Sequence, residues 1–401
     1  MTQLHRILIM TNPLFTCSFL KHFENLDKKI IEEDYEISLE QTELRLRDNN
    51  PHTIVEAFQQ FDSRPEIAYN KKVVNYTAKY SNIKDLDLNK TPALIPAKDS
   101  LELLRFTFSN LKGHGVFEHI VPVLIDDRST RQKEMRELAD EYNAIYIRMD
   151  YNSPTFNFSV INNAAAAFLK TVGYSDVILW NSDLWVDNDK VIPYILNKHK
   201  NGKEEDFYAT GVKLLYPTRG FCDLMDDEKF ITSLASDFNL PPAQIESYNP
   251  FGSIQFGGSS FVITPFLKRV TPIVASPIHF GRFTSRNAKG MNIDKQVHFM
   301  TGAFILCDLE KFEQVGGLNP SMNSQFQDVD LCLKLNAAGS KIMFYGKDVH
   351  LLHAESMSLS SKAEESSGIK TTPAFRDDMI TNQALYATVW NPVYLYGTLG
   401  I

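Results

Sequence analysis

The chain has 401 residues, a formal net charge of −8 and a composition that is 43% hydrophobic and 22% charged. These values are typical of a globular protein with a sizeable core, and the length suits two or three average domains or one large α/β domain with extensions. The negative charge argues against nonspecific nucleic-acid binding, which needs a basic face. No apolar stretch reaches the roughly 18–20 residues that span a bilayer.

The cysteines and the N-terminus indicate a cellular compartment. RILIMTNPLFTCSFL is interrupted by Thr, Asn and Pro, and it predicts a strand and a turn rather than a signal peptide. The cysteines show neither a C-x-x-C pair nor the spacing of a metal site; they are Cys17, Cys222, Cys307 and Cys332. We therefore expect a reducing, cytoplasmic location, with peripheral association at the inner face of a membrane left open.

The middle of the chain alternates strand and helix patterns. Residues 1–90 contain acidic helical patterns without recognisable chemistry, and a first predicted strand follows in TPALIPAKD. Three strand–helix pairs come next: HIVPVLIDD with RQKEMRELADEY, AIYIRMD with NFSVINNAAAAFLKTV, and DVILWNSD with KVIPYILNKH. This alternation predicts an α/β fold in which helices cover both faces of a mostly parallel central sheet.

Acidic residues stand where the predicted strands end. Ligands of such sheets bind beyond the carboxyl ends of the strands, so these acids are the first candidates for a binding site. They are Asp99, Asp126, Asp127, Asp150 and Asp183.

Three segments lack this alternation. Residues 197–206, NKHKNGKEED, predict a charged surface loop, and residues 211–300 form a long insert rich in Gly, Pro and Phe. Residues 360–373 have the composition of a flexible segment.

The segment FQDVDLCLKLNAAG predicts a buried helix that opens with two acids. Leu331 and Leu335 are spaced i, i+4, and Gly339 closes the pattern. One carboxylate can cap the first turn of the helix. Since only one of the two acids, Asp328 and Asp330, is needed for the cap, the other needs a different explanation.

Six segments carry a resemblance to a known family. They are LIDDRST, FNFSVINNAA, LWNSDLWV, GSIQFGG, MTGAFILCDLEKFEQVGGLNPSMNSQFQDVDLCLKLNAAG and HLLHAESMS. In this order they resemble motifs of the bacterial inverting glycosyltransferases of family two, in the branch that builds O-antigen-like polysaccharides. The resemblance implies a GT-A fold over 91–358, with 1–90 as an extension and 359–401 as a tail or lid.

The resemblance implies a metal site. Asp183 ends the variant of the D-x-D motif in which Asn181 replaces the first acid, and His353 would be a further ligand. Oxygen ligands suit Mg²⁺ or Mn²⁺, and a nitrogen ligand favours Mn²⁺. The alternatives are a turn residue for Asp183 and a core histidine for His353, while His350 is expected to be structural.

The resemblance also implies a nucleotide site. Asp126, or instead Asp127, would accept the imide N–H of uracil or thymine, which favours a UDP- or dTDP-linked donor. Asn157 and Ser159 begin a helix, and donor binding and simple capping are equally compatible with them. The residues flanking the nucleoside would be Pro96, Ala97 and Asp99.

The resemblance implies a separate role for each of the two acids of FQDVDL. Asp328 would be the general base that takes the proton of the acceptor hydroxyl, and Asp330 would cap the helix. Gly316 and Gly317 would give this loop the freedom to approach the donor. The predicted function is transfer of a sugar, with inversion, from a nucleotide diphosphate sugar to a glycan or lipid-linked glycan acceptor.

One departure from the family keeps an alternative open. Leu359 and Ser360 stand where the branch has Arg-Gly, and that arginine is a natural partner of a diphosphate. Cations that could replace it are Lys362, Lys370 and Arg376. The alternative is a nucleotide-sugar-binding or scaffold protein that has lost activity. A sugar nucleotidyltransferase is disfavoured because IPAKDSLELL lacks a glycine-rich phosphate loop.

Overall fold

The computed structural model describes residues 76–355 except 84–85, 152–155, 222–226, 239, 264–274, 289 and 324, together with Asn382, Leu385, Tyr386 and Trp390. The predicted N-terminal strand and turn lie outside these residues. So do the flexible segment 360–373 and the candidate cations Lys362, Lys370 and Arg376.

The strands of the described part form one large sheet and one small one. The large sheet contains β1 (Tyr76–Ser81), β2 (Thr91–Ala97), β3 (Ile120–Asp127), β4 (Ile145–Tyr151), β5 (Asp176–Trp180), β6 (Leu184–Trp185), β7 (Phe207–Leu215), β8 (Ile254–Phe256), β11 (Lys295–Gln296), β12 (Phe304–Asp308) and β13 (Lys341–His353). The small sheet pairs β9 (Ser259–Ile263) with β10 (Ala275–His279).

Helices connect these strands and cover the large sheet. They are α1 (Leu101–Gly113), α2 (Gln132–Glu141), α3 (Phe158–Thr171), α4 (Val191–Gly202), α5 (Asp227–Phe238), α6 (Pro242–Ser247), α7 (Leu309–Gln314) and α8 (Gln327–Ala337). Short 3-10 helices lie at Val116–Glu118 and Lys203–Glu205. No helix among the described residues is long and apolar enough to cross a membrane.

The centre of the large sheet is parallel. The strand order is β1-β4-β3-β2-β5-β12-β7-β13-β11, and β4, β3, β2 and β5 run parallel to one another. β12 runs antiparallel between β5 and β7, whereas β13 is parallel to β7. All eight residues of β3 are buried, as expected for a strand covered on both faces. The predicted α/β fold with a largely parallel central sheet is confirmed.

The segment 197–206 lies mostly at the surface, as predicted, but it is helical rather than a loop. α4 continues to Gly202 and a 3-10 helix follows, and two polar residues of the segment bond residues of the large sheet. His199 bonds Thr210 at 2.8 Å, and Lys203 Nζ binds Asp176 at 2.6 Å and Asp308 at 2.7 Å. Burial alone raises the pKa of Asp176, but the bonds from His199 and Lys203 outweigh it and lower that pKa to about 2.

Both predicted flanking segments contribute residues to the described structure. β1, from the segment 1–90, pairs antiparallel with β4 along its whole length, Tyr76 facing Tyr151. From the segment 359–401, Tyr386 and Trp390 belong to the main hydrophobic core. The boundaries of the three predicted domains stay a prediction.

Candidate active site

The chain brings its candidate residues to one edge of the large sheet. Parallel strands β2, β3 and β5 all end there, at Ala97, Asp127 and Trp180. β12 is antiparallel and begins at this edge, with Phe304 opposite Trp180. β13 ends beside it, with His353 opposite Leu184. A cavity of about 740 Å³ lies at the other edge, by the first residues of β2 and β5, and contains none of the predicted site residues.

Asp183 and His353 form a buried pair at this edge. His353 Nε2 lies 3.4 Å from Asp183 Oδ1 and 3.4 Å from Asn181 Nδ2. The two side chains are 1% and 5% exposed. The backbone fixes both segments, because Leu184 N donates to Asn181 O and Ala354 N donates to Asp183 O. The structure thus brings the two predicted metal ligands, Asp183 and His353, together with Asn181, which was predicted to bind the nucleotide sugar.

This pair suits a divalent cation. Two ligands that each lie roughly 2.1 Å from one ion are separated by roughly 3.0–3.5 Å, which matches the separation of His353 Nε2 and Asp183 Oδ1. His353 Nδ1 is buried and makes no hydrogen bond among the described residues. That part of the chain contains no group of three or more His, Cys, Asp and Glu that could hold a metal. An ion here would therefore need the diphosphate and water as further ligands.

A partly buried charge network includes Glu355, two residues after His353 in the chain. Glu355 Oε2 accepts hydrogen bonds from Tyr216 Oη at 2.6 Å and from Arg282 Nη1 at 2.7 Å. Arg282 Nη2 also lies 2.5 Å from His279 Nδ1. Burial raises the pKa of Glu355, but the charge and hydrogen bond of Arg282 outweigh it and lower that pKa to about 2. Burial lowers the pKa of His279 to about 3, so its neutral ring can accept from Arg282.

Sequence reasoning missed this network. The motif HLLHAESMS contained Glu355, but its partners lie in the long insert, where Arg282 and Tyr216 follow no periodic pattern. The only available signal was an acid two residues after a candidate metal ligand.

Asp328 is held by backbone amides. Its Oδ2 accepts from Gly302 N at 2.7 Å and its Oδ1 from Val329 N at 2.9 Å. Burial raises the pKa of Asp328 above its usual value, and the amide bonds offset only part of that effect. Ala303 O accepts a hydrogen bond from Asn181 N. Residues 302 and 303 therefore connect Asp328 to the residue that follows β5.

The predicted capping role of Asp330 is wrong. α8 begins at Gln327 and is preceded by Phe326, so Asp330 N already donates within the helix, to Phe326 O. The Asp330 carboxylate is buried, and it accepts from Trp390 Nε1 at 3.0 Å and pairs with Lys334 Nζ at 3.0 Å. Asp330 joins the helix to the C-terminal part of the chain.

Asp126 and Asp127 both have protein partners. Asp126 Oδ1 accepts from Ser129 N, and its Oδ2 accepts from Tyr146 Oη and Arg148 Nη1, both at 2.6 Å. Asp127 binds Arg128, with Nε at 2.8 Å. A nucleobase role for either acid stays a prediction.

Asp99 lies beside the same loop. Its Oδ1 accepts from Thr130 N and Thr130 Oγ1, and its own N–H donates to Ser129 Oγ. Pro96 and Ala97 are paired with the last residues of β3, Ala97 facing Asp126. The structure therefore brings together the residues proposed to flank the nucleoside, without testing that role.

The start of α3 is bonded to the loop that leads to α8. Asn157 Oδ1 accepts from Val160 N as a helix cap, while its Nδ2 donates to Pro320 O. Ser159 Oγ donates to Met322 O at 2.6 Å. These contacts explain both residues as structural, and their donor-binding role stays a prediction.

Sequence comparison finds relatives with low identity. No protein-family model matches the chain. The O-antigen biosynthesis protein RfbC of Myxococcus xanthus is 23% identical over 274 residues, which are 68% of this chain and 18% of that protein. The uncharacterized protein y4gI of Sinorhizobium fredii is 24% identical over 249 residues, which are 61% of this chain and 22% of that protein. The chain thus spans about a fifth of each relative.

The match to RfbC agrees with the resemblance of the six motifs. The chain is similar in sequence to a protein named for O-antigen biosynthesis, as the motifs predicted.

Two solved structures are also similar to the chain. GalNAc-T7 with UDP, GalNAc and Mn²⁺ has a TM-score of 0.43 and 12% identity, covering 66% of this chain and 43% of that one. The mannosyltransferase PcManGT from Pyrobaculum calidifontis, in complex with GDP-Man and Mn²⁺, has a TM-score of 0.38 and 10% identity, covering 87% and 81%.

Proposed function

We propose that the chain is a metal-dependent inverting glycosyltransferase. It moves a sugar from a nucleotide diphosphate sugar to a hydroxyl of a glycan or lipid-linked glycan, in the synthesis of a surface polysaccharide. The observation that supports this most directly is that the Asp183–His353 pair and the amide-held Asp328 lie at the same edge of the sheet. The similarity to an O-antigen biosynthesis protein supports the substrate class. A cytoplasmic location, at the inner face of the membrane, stays part of this proposal.

The donor's diphosphate belongs at Asp183 and His353. These two residues would hold Mn²⁺ or Mg²⁺, with Asn181 beside them on the nucleotide sugar, and such an ion neutralises the charge of the departing diphosphate. Asp183 and His353 are buried and backbone-fixed, so their ligand atoms are pre-organised for the ion.

The acceptor hydroxyl belongs at Asp328. A general base works best when its pKa lies near the working pH, and burial moves the pKa of Asp328 in that direction. The carboxylate takes the hydroxyl proton as the acceptor oxygen bonds to the anomeric carbon. The bond from that carbon to the diphosphate breaks on the opposite side. A single displacement of this kind inverts the anomeric centre, so an α-linked donor gives a β-linked product.

The nucleobase belongs near Asp126. A carboxylate has roughly four acceptor positions, and Asp126 uses three of them for Ser129, Tyr146 and Arg148. Asp126 is completely buried, so the N3–H that uracil and thymine share reaches its fourth position only when a covering side chain moves. We therefore expect UDP- or dTDP-sugars to be preferred over donors with guanine or cytosine.

A thermal-shift panel of UDP, dTDP, GDP and CMP, with and without Mn²⁺, tests this proposal, followed by an assay of nucleotide release from the matching nucleotide sugar. A ligand at about 100 times its dissociation constant adds roughly 2.7 kcal/mol of stability. We expect UDP or dTDP to stabilise the protein only with metal, and Asp183→Asn to lose that effect.

The matched control is Asp187→Asn. Asp187 is a carboxylate of the same segment that bonds His350 on the surface, and its replacement should leave nucleotide binding intact. Metal-dependent binding without nucleotide release would favour the inactive nucleotide-sugar-binding or scaffold protein. No response to any nucleotide would refute the proposal.

A further inference from the structure

Three residues from the C-terminal part of the chain lie against the start of α8. Asn382, Tyr386 and Trp390 are all helical and nearly completely buried. They are four residues apart, the spacing of one face of an α-helix. Each contacts a different residue near Asp328 in the chain: Asn323 and Phe326 before it and Asp330 after it.

The first contact joins two amides. Asn382 Nδ2 donates to Asn323 Oδ1 at 2.8 Å, and Asn323 N donates back to Asn382 Oδ1 at 3.3 Å. Asn323 O in turn accepts from Phe158 N at the start of α3. Asn382 therefore fixes the loop four residues before α8 begins.

The second contact holds a strained residue. Phe326 has a φ of +64°, a left-handed conformation that costs a residue with a side chain roughly 1–2 kcal/mol. Its ring stacks on Tyr386 with a centroid separation of 4.7 Å. Because Phe326 immediately precedes α8, its backbone sets the direction in which the helix leaves the loop. Tyr386 thus supports the conformation from which the helix starts.

The third contact fixes the first turn of α8. Trp390 Nε1 donates to Asp330 Oδ1 at 3.0 Å, and both residues are buried. Asp330 and Asp328 lie on the same helical turn, so the position of one constrains the other. Asp328 must keep its bond to Gly302 N while its carboxylate faces an acceptor.

We propose that Trp390 is a positioning residue for Asp328, acting through Asp330 and the first turn of α8. This inference rests on the proposed function, in which Asp328 is the general base. It gives the C-terminal segment a role in transfer that is separate from donor binding, because Asp328 lies on α8 whereas Asp183 lies in the turn after β5 and His353 ends β13.

Trp390→Phe tests the inference, because it removes the indole N–H and keeps an aromatic ring. We expect turnover to fall roughly tenfold or more, the effect of one hydrogen bond to a charged group, while the affinity for UDP with Mn²⁺ changes less than twofold. In an Asp328→Asn background the same change should cause no further loss, because the affected group is already absent.

Phe108→Leu is the control for general destabilisation. Phe108 is fully buried in the core and packs against Phe117 and Tyr142, away from the site. This variant should lower the melting temperature and leave turnover unchanged. The inference is overturned if Trp390→Phe keeps wild-type turnover, or if it slows Asp328→Asn as much as it slows the wild type.

Amide exchange tests the positioning role without an activity assay. A protein that turns over no donor would refute the proposed function alone, and the exchange result would still support or overturn the positioning role. In ¹⁵N-glycine-labelled protein, Trp390→Phe should speed exchange of the Gly302 amide, whose acceptor is Asp328. The Gly257 amide, which donates to Phe280 O, is the control and should not change. Equal exchange of Gly302 in the wild type and in Trp390→Phe overturns the positioning role.

Discussion

The amide of Gly302 donates a 2.7 Å hydrogen bond to Oδ2 of Asp328, although 26 residues separate them in the chain. A Cβ at position 302 would lie 3.3 Å from Asp328 Cβ and 3.5 Å from its Oδ2. The glycine therefore lets the two backbones approach closely enough for the bond to form. The motifs MTGAF and FQDVDL thus form one structural unit.

Gly302→Ala should reduce turnover more than stability. The added methyl group forces Asp328 to move by a few tenths of an ångström, and a small misplacement of a base can cost up to about 10²-fold in rate. Gly113→Ala is the control, since a Cβ there would meet nothing within 4 Å. Turnover and thermal melting of both variants check this. Normal turnover of Gly302→Ala would show that the close approach has no role in the reaction.

Asp328→Asn should cut turnover by about 10²-fold or more, because an amide cannot take the acceptor's proton. Donor affinity should remain near that of the wild type, since the proposed donor contacts are Asp126, Asp183 and His353. Turnover measured alongside calorimetric binding of UDP and Mn²⁺ separates the two effects. A parallel loss of both would point to a general disturbance of the site.

The same variant should change how stability depends on pH. Burial raises the pKa of Asp328 in the folded protein, so its protonated form is more stable there, relative to the carboxylate, than in the unfolded chain. The associated stability is present below the unfolded pKa and is lost as the pH rises through the folded value. Urea unfolding from pH 4 to pH 7 should therefore show the wild type losing stability relative to Asp328→Asn. A constant difference would contradict the raised pKa.

The neighbouring glycines Gly316 and Gly317 should respond differently to alanine. Both have positive φ, at +78° and +63°, so each substitution costs roughly 1–2 kcal/mol of backbone strain. A Cβ at position 316 meets nothing within 4 Å, whereas at position 317 it would lie 2.6 Å from Asn163 Oδ1. Urea unfolding should show Gly317→Ala losing roughly 3 kcal/mol or more. Equal losses would mean that the Asn163 contact adjusts freely.

Glu355→Gln should destabilise the fold by roughly 1.5–3 kcal/mol at neutral pH, because it removes a charge-assisted hydrogen bond to the partly buried Arg282. The pKa of Glu355 is lowered from 4.5 to about 2, so its stabilising effect is present above pH 4.5 and is lost as the pH falls through about 2. The gap between the wild type and Glu355→Gln should therefore shrink between those values. Glu141→Gln is the control: Glu141 is exposed beside Arg105, and its loss should cost less than about 1 kcal/mol. Similar losses for the two variants would contradict the buried pair.

The sequence predicts the fold well where the signal is local. The run IVPVLIDD is fully buried and identifies a central strand, and the helix at 158–171 follows from a periodic pattern that begins at Asn157. The position of Asp183 in the turn after β5 follows from the apolar strand pattern that precedes it in DVILWNSD. These features depend on residues close together in the chain.

The partners of the site residues could not be predicted in the same way. Asp330 has the pattern of a helix cap, yet it binds Trp390, 60 residues away. Glu355 binds Arg282 from an insert without periodicity, across 73 residues. Such contacts depend on how distant segments pack, and the spacing within each segment carries no information about them.

The anomeric configuration of the sugar first released from an α-linked UDP- or dTDP-sugar shows whether the chain catalyses an inverting transfer. The reaction can be followed by ¹H NMR with Mg²⁺, with water as the acceptor, before the released sugar equilibrates. The account predicts the β-anomer first from the wild type, and no release above the metal-free background from Asp183→Asn. An α-anomer formed first, or equal release after chelation of the metal, would contradict it.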